Sequence, residues 1–178
     1  MDALLVVDMQ VGMLDGPPKF DLQGLVGRIN QLAVMVRRRS GMVVWVQHCR
    51  TPSDSFAPAS PGWQLLPELD RQQVDMVVPK SLNDPFAGTN LTATLQQAGV
   101  VRLFVTGWAT DFCVDSAVRS AVSCGYHVIA VSDGHTASDR PHLDALTVIR
   151  HHNWLWANLI PSRSIRVAGT AELLAGDN

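Results

Sequence analysis

The sequence has few cysteines and little charge, and each scarcity excludes a class of protein. Its three cysteines, Cys49, Cys113 and Cys124, form no CxxC pair, so neither a secreted disulfide framework nor a structural zinc knuckle is expected. Charged residues make up 17% of the chain and the formal net charge is −2. This near-neutral balance argues against an electrostatic nucleic-acid binder, which would carry a basic stripe.

Long hydrophobic runs are also missing. The amino-terminal run Ala3–Val7 is short and follows an acidic residue, whereas a signal peptide has a cationic region and a long apolar core. No apolar stretch approaches the roughly 18 residues that are needed to span a bilayer. We therefore expect a cytoplasmic protein with no membrane partner and no nucleic-acid partner.

The apolar residues that are present, 47% of the chain, recur in short β-branched runs separated by intervals that can hold helices. Because consecutive positions within a run are apolar, these runs are typical of strands buried on both faces of a parallel sheet. The length of 178 residues suits one domain, which we expect to cover residues 1–178. The predicted strands are Ala3–Val7, Met42–Gln47, Val74–Val78, Val101–Thr106, His127–Ser132 and Ile165–Val167.

Helical spacing between the runs predicts helices over Leu22–Arg39, Asn90–Gly99, Thr110–Cys124 and Arg140–Leu159. The alternation of strands and helices predicts an α/β fold, a doubly wound three-layer sandwich around a six-stranded, mostly parallel sheet. No strand is followed by G-x-G-x-x-G or by G-x-x-x-x-G-K-[ST], so dinucleotide and P-loop phosphate binding lose their usual support.

Chemistry in an open parallel sheet is expected at the carboxyl ends of its strands. Asp8, Lys80 and Cys113 follow the first, third and fourth predicted strands, and together they suit nucleophilic catalysis by cysteine. Cys113 falls in the first turn of a predicted helix, whose dipole would lower the pKa of the thiol. Asp8 would act as a general base, and the Lys80 ammonium would stabilise negative charge nearby. Each residue also has an ordinary interpretation, as a small buried hydrophobe, a turn aspartate and a surface lysine.

Several segments carry a resemblance to a known family. They are ALLVVDMQ with Asp8, PKSLNDPFAGTNL with Lys80, the run 107–114 with Cys113, and VSDGHTASD after the fifth strand. Through them the sequence resembles the isochorismatase-like cysteine hydrolase superfamily over nearly its whole length. The resemblance implies a Rossmann-like sheet, a triad of Asp8, Lys80 and Cys113, and assembly into homodimers or homotetramers.

The resemblance also implies a reaction. In such enzymes the thiolate attacks an amide carbonyl, ammonia or an amine leaves, and water releases the acyl group from a thioester. A non-proline cis peptide bond ahead of the nucleophile maps onto Trp108–Ala109, and the amide groups of Ala109 and Cys113 would form the oxyanion hole. The implied function is metal-independent cleavage of a C–N bond in a small amide-type substrate.

Nicotinamidases of this superfamily carry a metal site with an Asp-x-His pattern after the second strand and a further histidine downstream. Here His48 occupies the aspartate position, Arg50 occupies the first histidine position, and no second histidine follows. We therefore expect no metal site and no other cofactor. His48, Arg50, Phe86 and Trp108 are the candidate substrate-binding residues, and the Arg50 guanidinium suits a carboxylate or a second carbonyl.

Two alternative functions stay open. One is an isochorismatase-type vinyl-ether hydrolase, which needs no thiol nucleophile, and the other is a catalytically silent binding or assembly protein.

Tryptophans also bear on assembly and access. The apolar helix around Trp154 and Trp156 favours a subunit interface, while Trp63, in a proline-rich loop, suits either a lid over the site or an oligomer contact.

Overall fold

The structure, a computed structural model, describes residues 1–49 and 56–176. Strands and helices alternate along it, as the sequence pattern predicts. The strands are β1 (Asp2–Val7), β2 (Met42–His48), β3 (Met76–Lys80), β4 (Arg102–Trp108), β5 (His127–Thr136) and β6 (Ile165–Ala168). The α-helices are α1 (Val11–Leu14), α2 (Leu22–Arg38), α3 (Leu91–Gln97), α4 (Asp115–Ser123), α5 (Ala145–Ala157) and α6 (Thr170–Ala175). A 3₁₀ turn spans Pro61–Trp63, and a π-helical turn spans Thr110–Val114.

The six strands form one sheet in the order β3-β2-β1-β4-β5-β6, and every pairing is parallel. The predicted doubly wound α/β fold is therefore confirmed, and its sheet is parallel throughout. Chain connections change direction between β1 and β4, the two central strands. In such sheets ligands bind at this switch point, outside the carboxyl ends of the strands.

Two apolar layers sandwich the sheet. Side chains that alternate along β1 point to opposite faces, with Leu5 in one layer and Leu4 in the other. One layer packs α3, α4 and α5 against the sheet, and the other packs α2 and α6. Burial on both faces explains the continuous apolar runs from which the strands were predicted.

The structure shifts two predicted element boundaries that matter for the site. The third strand was predicted over Val74–Val78, but Val74 is 84% exposed and the strand runs over Met76–Lys80. Pro79 fits within it because β3 is an edge strand, where a missing N–H breaks no ladder. Lys80 is thus the last residue of the strand and pairs with His48.

The predicted helix Thr110–Cys124 is divided into the π-helical turn and α4. The predicted helix from Arg140 begins at Ala145 instead, because the Asp144 carboxylate accepts a hydrogen bond from the Thr147 amide and caps it. The short helices α1 and α6 were not predicted. They span only one or two turns, too short for a periodic apolar pattern.

Candidate active site

Asp8, Lys80 and Cys113 converge at the carboxyl edge of the sheet, at the switch point between β1 and β4. Asp8 directly follows β1 with a φ of 51°, a left-handed conformation that aspartate tolerates, so the chain turns sharply there. Close packing of the two central strands also requires Gly107, since a Cβ at that position would lie 2.1 Å from the Val7 carbonyl oxygen. The backbone therefore brings the end of β1 and the turn after β4 into contact.

The Lys80 ammonium lies at the centre of the site and makes three contacts. Its Nζ is 2.7 Å from Asp8 Oδ2, 3.3 Å from Cys113 Sγ and 3.0 Å from the Leu82 carbonyl oxygen. Both charged side chains are fully buried, with no exposed side-chain area. An ammonium has three N–H donors, so these three acceptors use its full hydrogen-bonding capacity and fix its position.

The Cys113 thiol is buried against this ion pair. Burial is the main cause that raises the pKa of Cys113 to about 12, and the negative charge of Asp8 adds to it. Lys80 acts in the opposite direction. The predicted lowering of this pKa by a helix dipole is wrong for the resting site. Cys113 occupies the fourth position of a π-helical turn beside a carboxylate, whereas the dipole acts at an exposed helix start. The Cys113 thiol is therefore neutral in the resting site and lies beside the Asp8 carboxylate.

The turn that carries Cys113 is held by its own backbone. The Ala109 carbonyl accepts hydrogen bonds from the amides of Phe112 (3.0 Å) and Val114 (3.1 Å). The peptide bond between Trp108 and Ala109 is cis, at the position that the family resemblance implies. The Ala109 and Cys113 amides therefore belong to one compact loop around the thiol.

A cavity of about 330 Å³ opens onto Asp8 and Cys113. Its size suits a small organic molecule. Of the described residues, apolar walls are supplied by Met13, Phe56, Trp108 and Phe112, and polar groups by His48, Asn83 and Arg140 around Asp8 and Cys113. A mostly apolar pocket with a few polar groups is the usual form of a small-molecule site.

The four predicted substrate-binding residues have different locations. His48 and Trp108 line the cavity, and the His48 ring meets Phe56 edge-on at 5.9 Å. Phe86 does not line it, because its ring packs against Tyr126 at 6.2 Å and against the core on the α3 side. Arg50 lies outside the described residues.

Two polar cavity residues were missed in the sequence. Asn83 Oδ1 lies 3.7 Å from Cys113 Sγ and accepts a weak hydrogen bond from the thiol. Arg140 binds Asp111 through two 2.7 Å hydrogen bonds and lies over the Phe112 ring. Burial alone would raise the pKa of Asp111. The hydrogen bonds and charge of Arg140 outweigh burial and hold that pKa below its ordinary value. Arg140 lies four residues beyond β5 and eight beyond the predicted strand end at Ser132, so the strand-end rule did not reach it.

The tryptophans outside the cavity fit the sequence interpretation only in part. Trp156 is fully buried and donates a 2.8 Å hydrogen bond to Asp115, so it belongs to the core rather than to a surface; Trp154 is 66% exposed. Trp63 does not line the cavity. Its indole N–H contacts Cys49 Sγ at 3.0 Å, and its carbonyl accepts from the buried side chain of Gln47. These bonds fix Trp63 itself and do not suit a moving lid.

Within residues 1–49 and 56–176, no group of three or more His, Cys, Asp or Glu side chains is arranged to hold a metal ion. None of the helices described there has the length and apolar character to cross a membrane.

Known proteins resemble this chain in sequence. Streptothricin hydrolase from Streptomyces noursei is 33% identical over 142 residues, covering 79% of this chain and 51% of that protein. Ureidoacrylate amidohydrolase RutB from Variovorax paradoxus (strain S110) is 29% identical over 168 residues, covering 74% of this chain and 67% of that protein. This chain spans about half the length of the streptothricin hydrolases that it matches.

Solved structures resemble it in fold. A crystal structure of an isochorismatase family protein superposes with a TM-score of 0.85 at 29% identity, covering 94% of this chain and 98% of that one. A cysteine hydrolase from Pseudomonas syringae pv. phaseolicola gives a TM-score of 0.86 at 25% identity, with 99% and 92% covered. The sequence also matches the isochorismatase domain over residues 2–157, which confirms the resemblance: the chain belongs to the isochorismatase family.

Proposed function

We propose that this protein is a hydrolase that cleaves a C–N bond of a small amide-type molecule, with Cys113 as the nucleophile. One observation carries the proposal. A single buried ammonium, that of Lys80, contacts both the Asp8 carboxylate and the Cys113 sulfur at the floor of a small cavity. A base, a thiol and a fixed positive charge in contact are the groups that acyl transfer through a cysteine requires.

The first half of the reaction forms a thioester. Asp8 accepts the thiol proton as Cys113 Sγ attacks the carbonyl carbon, and the carbonyl oxygen becomes an oxyanion. The amides of Ala109 and Cys113 donate hydrogen bonds to that oxyanion. Asp8 then returns the proton to the nitrogen, the C–N bond breaks, and ammonia or an amine leaves.

The second half consumes water. Asp8 takes a proton from a water molecule, and the oxygen of that water attacks the thioester carbon. The C–S bond then breaks. The acyl group leaves as a carboxylic acid, and the sulfur regains a proton. Lys80 stays an ammonium throughout, because its role is to stabilise the carboxylate in one state and the thiolate in the other.

The raised pKa of the Cys113 thiol fits the proposed reaction. A neutral thiol buried beside a carboxylate is poor at reacting with chance electrophiles, since the thiolate is the nucleophile. It ionises when a bound carbonyl carbon accepts its electron pair while Asp8 accepts its proton. Family relatives with hydrolase and amidohydrolase names are consistent with this chemistry.

The cavity suggests the kind of substrate. Aromatic and sulfur-containing side chains face it from several sides, and Asn83 supplies an amide next to the thiol. The Arg140 charge is balanced by Asp111. We therefore propose a small amide, urea or hydroxamate that presents an apolar or planar group to the walls.

We also propose that the protein acts as a homodimer or homotetramer in the cytoplasm. Trp154 and Ile160, on α5 and just beyond it, expose 66% and 96% of their surface, and large exposed apolar groups are common at subunit contacts. Sedimentation analysis that found only a 19 kDa species would contradict the oligomer.

A panel of small amides, ureas and hydroxamates, read out by release of ammonia or amine, tests the catalytic proposal. Wild-type protein should turn over at least one member, and Cys113→Ala should abolish turnover. Mass spectrometry of a quenched reaction should find the acyl group on Cys113. Vinyl-ether cleavage that survives Cys113→Ala would instead indicate the isochorismatase-type reaction, and inertness towards every compound would indicate a silent binding protein.

A further inference from the structure

His135 is a buried, titratable side chain that the proposed reaction does not use, and it is joined to the loop that carries the nucleophile. It lies on β5, where the strand pairs with Gly107 just before the cis peptide bond. Only 3% of its surface is exposed, and it does not line the cavity. Its Nδ1 is 2.8 Å from the Thr110 hydroxyl, and its Nε2 is 3.1 Å from Asn153 Oδ1.

The partners of Asn153 fix the direction of each hydrogen bond. The Asn153 amide nitrogen donates to the Ser132 carbonyl at 2.9 Å, and a carbonyl can only accept. Asn153 Oδ1 must then accept from His135, so Nε2 carries the proton. With its proton on Nε2, neutral His135 presents a lone pair at Nδ1, and the Thr110 hydroxyl donates to it. The chain of bonds therefore runs from Thr110 through His135 and Asn153 to the backbone of β5.

Asn153 lies on α5, and another side chain of that helix holds the other end of the π-helical turn. Trp156 of α5 packs edge-on against the His135 ring at a centroid distance of 4.8 Å. Its indole N–H donates to Asp115, the first residue of α4, at 2.8 Å. Thr110 opens the turn, Asp115 follows it, and Cys113 lies between them. Side chains of α5 thus reach both ends of the segment that carries the nucleophile.

We propose that His135 is a positioning residue: by accepting the hydrogen bond of the Thr110 hydroxyl, it holds the turn so that Cys113 Sγ stays against Lys80 and Asp8. This inference rests on the proposed function only in naming Cys113 as the nucleophile. Burial lowers the pKa of His135 to about 4, which keeps the ring neutral and able to accept at physiological pH. Its action on the chemistry passes through Thr110, since it touches neither the cavity nor the thiol.

Conservative variants separate the two hydrogen bonds of the ring. An asparagine at position 135 places an oxygen near Nδ1 and can still accept from Thr110, whereas a glutamine places its amide near Nε2 and keeps only the Asn153 contact. In the same way, Thr110→Ser keeps the hydroxyl and Thr110→Val removes it with little change of volume. A purely structural role for the ring would not distinguish His135→Asn from His135→Gln by which bond survives.

The test measures alkylation of Cys113 by iodoacetamide at pH 8, followed peptide by peptide, with Cys49 and Cys124 in the same sample as internal controls. We expect the Cys113 rate to change at least tenfold in His135→Gln and Thr110→Val, and less than threefold in His135→Asn and Thr110→Ser. The double variant His135→Gln/Thr110→Val should match either single variant. Where an amide substrate is known, kcat should fall at least tenfold in the first two variants with KM within threefold.

Unchanged Cys113 alkylation in folded His135→Gln and Thr110→Val, or additive effects in the double variant, would overturn the proposal. Nitrogen-15 NMR of the wild-type ring decides independently of any variant's folding. A proton on Nε2 supports the assignment, and one on Nδ1 overturns it. If no amide is hydrolysed, the proposed function fails, but the alkylation and NMR results still decide this inference.

Discussion

The ammonium nitrogen of Lys80 lies 2.7 Å from the carboxylate of Asp8, and neither side chain has any exposed area. Removing two charges from water costs several kcal/mol for each ion, which close pairing and hydrogen bonds must offset. The Leu82 carbonyl and the Cys113 sulfur accept from the ammonium as well, which offsets part of this cost on the lysine side. Such an arrangement is better explained by chemistry at the thiol than by stability.

Lys80→Arg should lower kcat at least 100-fold. A planar guanidinium is too wide to replace a compact ammonium between a carboxylate and a sulfur, and it cannot reproduce the three contacts of Nζ. Initial rates on any substrate found in the amide panel give the measurement. Arg166→Lys, an exchange between the same residue types at an exposed ion pair with Glu172, is the control and should keep full activity. Near-wild-type activity in Lys80→Arg would remove the main support for the proposed mechanism.

Replacing one member of the buried Asp8–Lys80 pair should cost far more stability than replacing both. Asp8→Asn and Lys80→Met should each lower the free energy of unfolding by about 3–5 kcal/mol, because each leaves one buried charge without its partner. The double variant should lose much less than the sum, since no uncompensated charge is left. Urea unfolding of all four proteins measures the coupling. Additive losses would show that the two charges do not interact as the geometry requires.

The exposed pair Arg166–Glu172 supplies a matched comparison. Both of its side chains are more than half exposed, so water screens the interaction and the same double-variant cycle should give less than about 1 kcal/mol. A coupling there as large as in the buried pair would mean that urea unfolding does not resolve the effect of burial.

The fold was accessible from sequence because the strands are buried on both faces. Runs such as Ala3–Val7 are apolar at consecutive positions, and the structure extends that run by only one residue, to Asp2–Val7. Errors arose where local signals were ambiguous. The third strand was predicted to stop at Val78, but an edge strand tolerates Pro79, so the strand continues to Lys80. The π-helical turn has the composition of an ordinary helix, and sequence periodicity alone does not reveal it.

The triad residues could be named from sequence because each lies at a strand end, where parallel topology brings side chains together. The pKa of Cys113 could not be predicted in this way. Position along the chain suggested a helix dipole acting on Cys113, whereas burial beside Asp8 decides the pKa in the folded protein. Asn83 was also missed, because its closeness to sulfur depends on the path of the loop after β3, for which the sequence carries no signal.

The Cys113 thiol should make stability fall at alkaline pH. A thiol whose folded pKa is raised to about 12 contributes stability that is fully present below its ordinary pKa of about 9. That contribution is lost as pH rises towards 12. The free energy of unfolding of wild type, minus that of Cys113→Ser, should be constant from pH 6 to 8 and about 1 kcal/mol smaller at pH 10. Denaturant titrations give both values, and other titrating groups cancel in the difference.

Ultraviolet absorbance offers a second measurement of the same state. Wild type minus Cys113→Ser should show no thiolate band near 240 nm up to about pH 10, since the thiol stays protonated. A thiolate band at neutral pH, or a stability difference that rises with pH, would mean that Lys80 outweighs burial and Asp8 and that the resting nucleophile is already ionised.

His135 should make stability fall at acidic pH. Because burial lowers its folded pKa to about 4 from an ordinary value near 6.5, the unfolded chain binds more protons than the folded protein between these values. Wild-type stability is then complete above pH 6.5 and is lost as pH falls towards 4. His135→Asn keeps the acceptor for Thr110 but does not titrate, so its advantage over wild type should grow by about 2 kcal/mol between pH 7 and pH 5. The difference between the two proteins should be flat from pH 7 to 9, which is the internal control. Parallel stability curves from pH 4 to 7 would mean that the folded ring accepts a proton as readily as the unfolded one. A ring that does so could not be the neutral acceptor that holds Thr110.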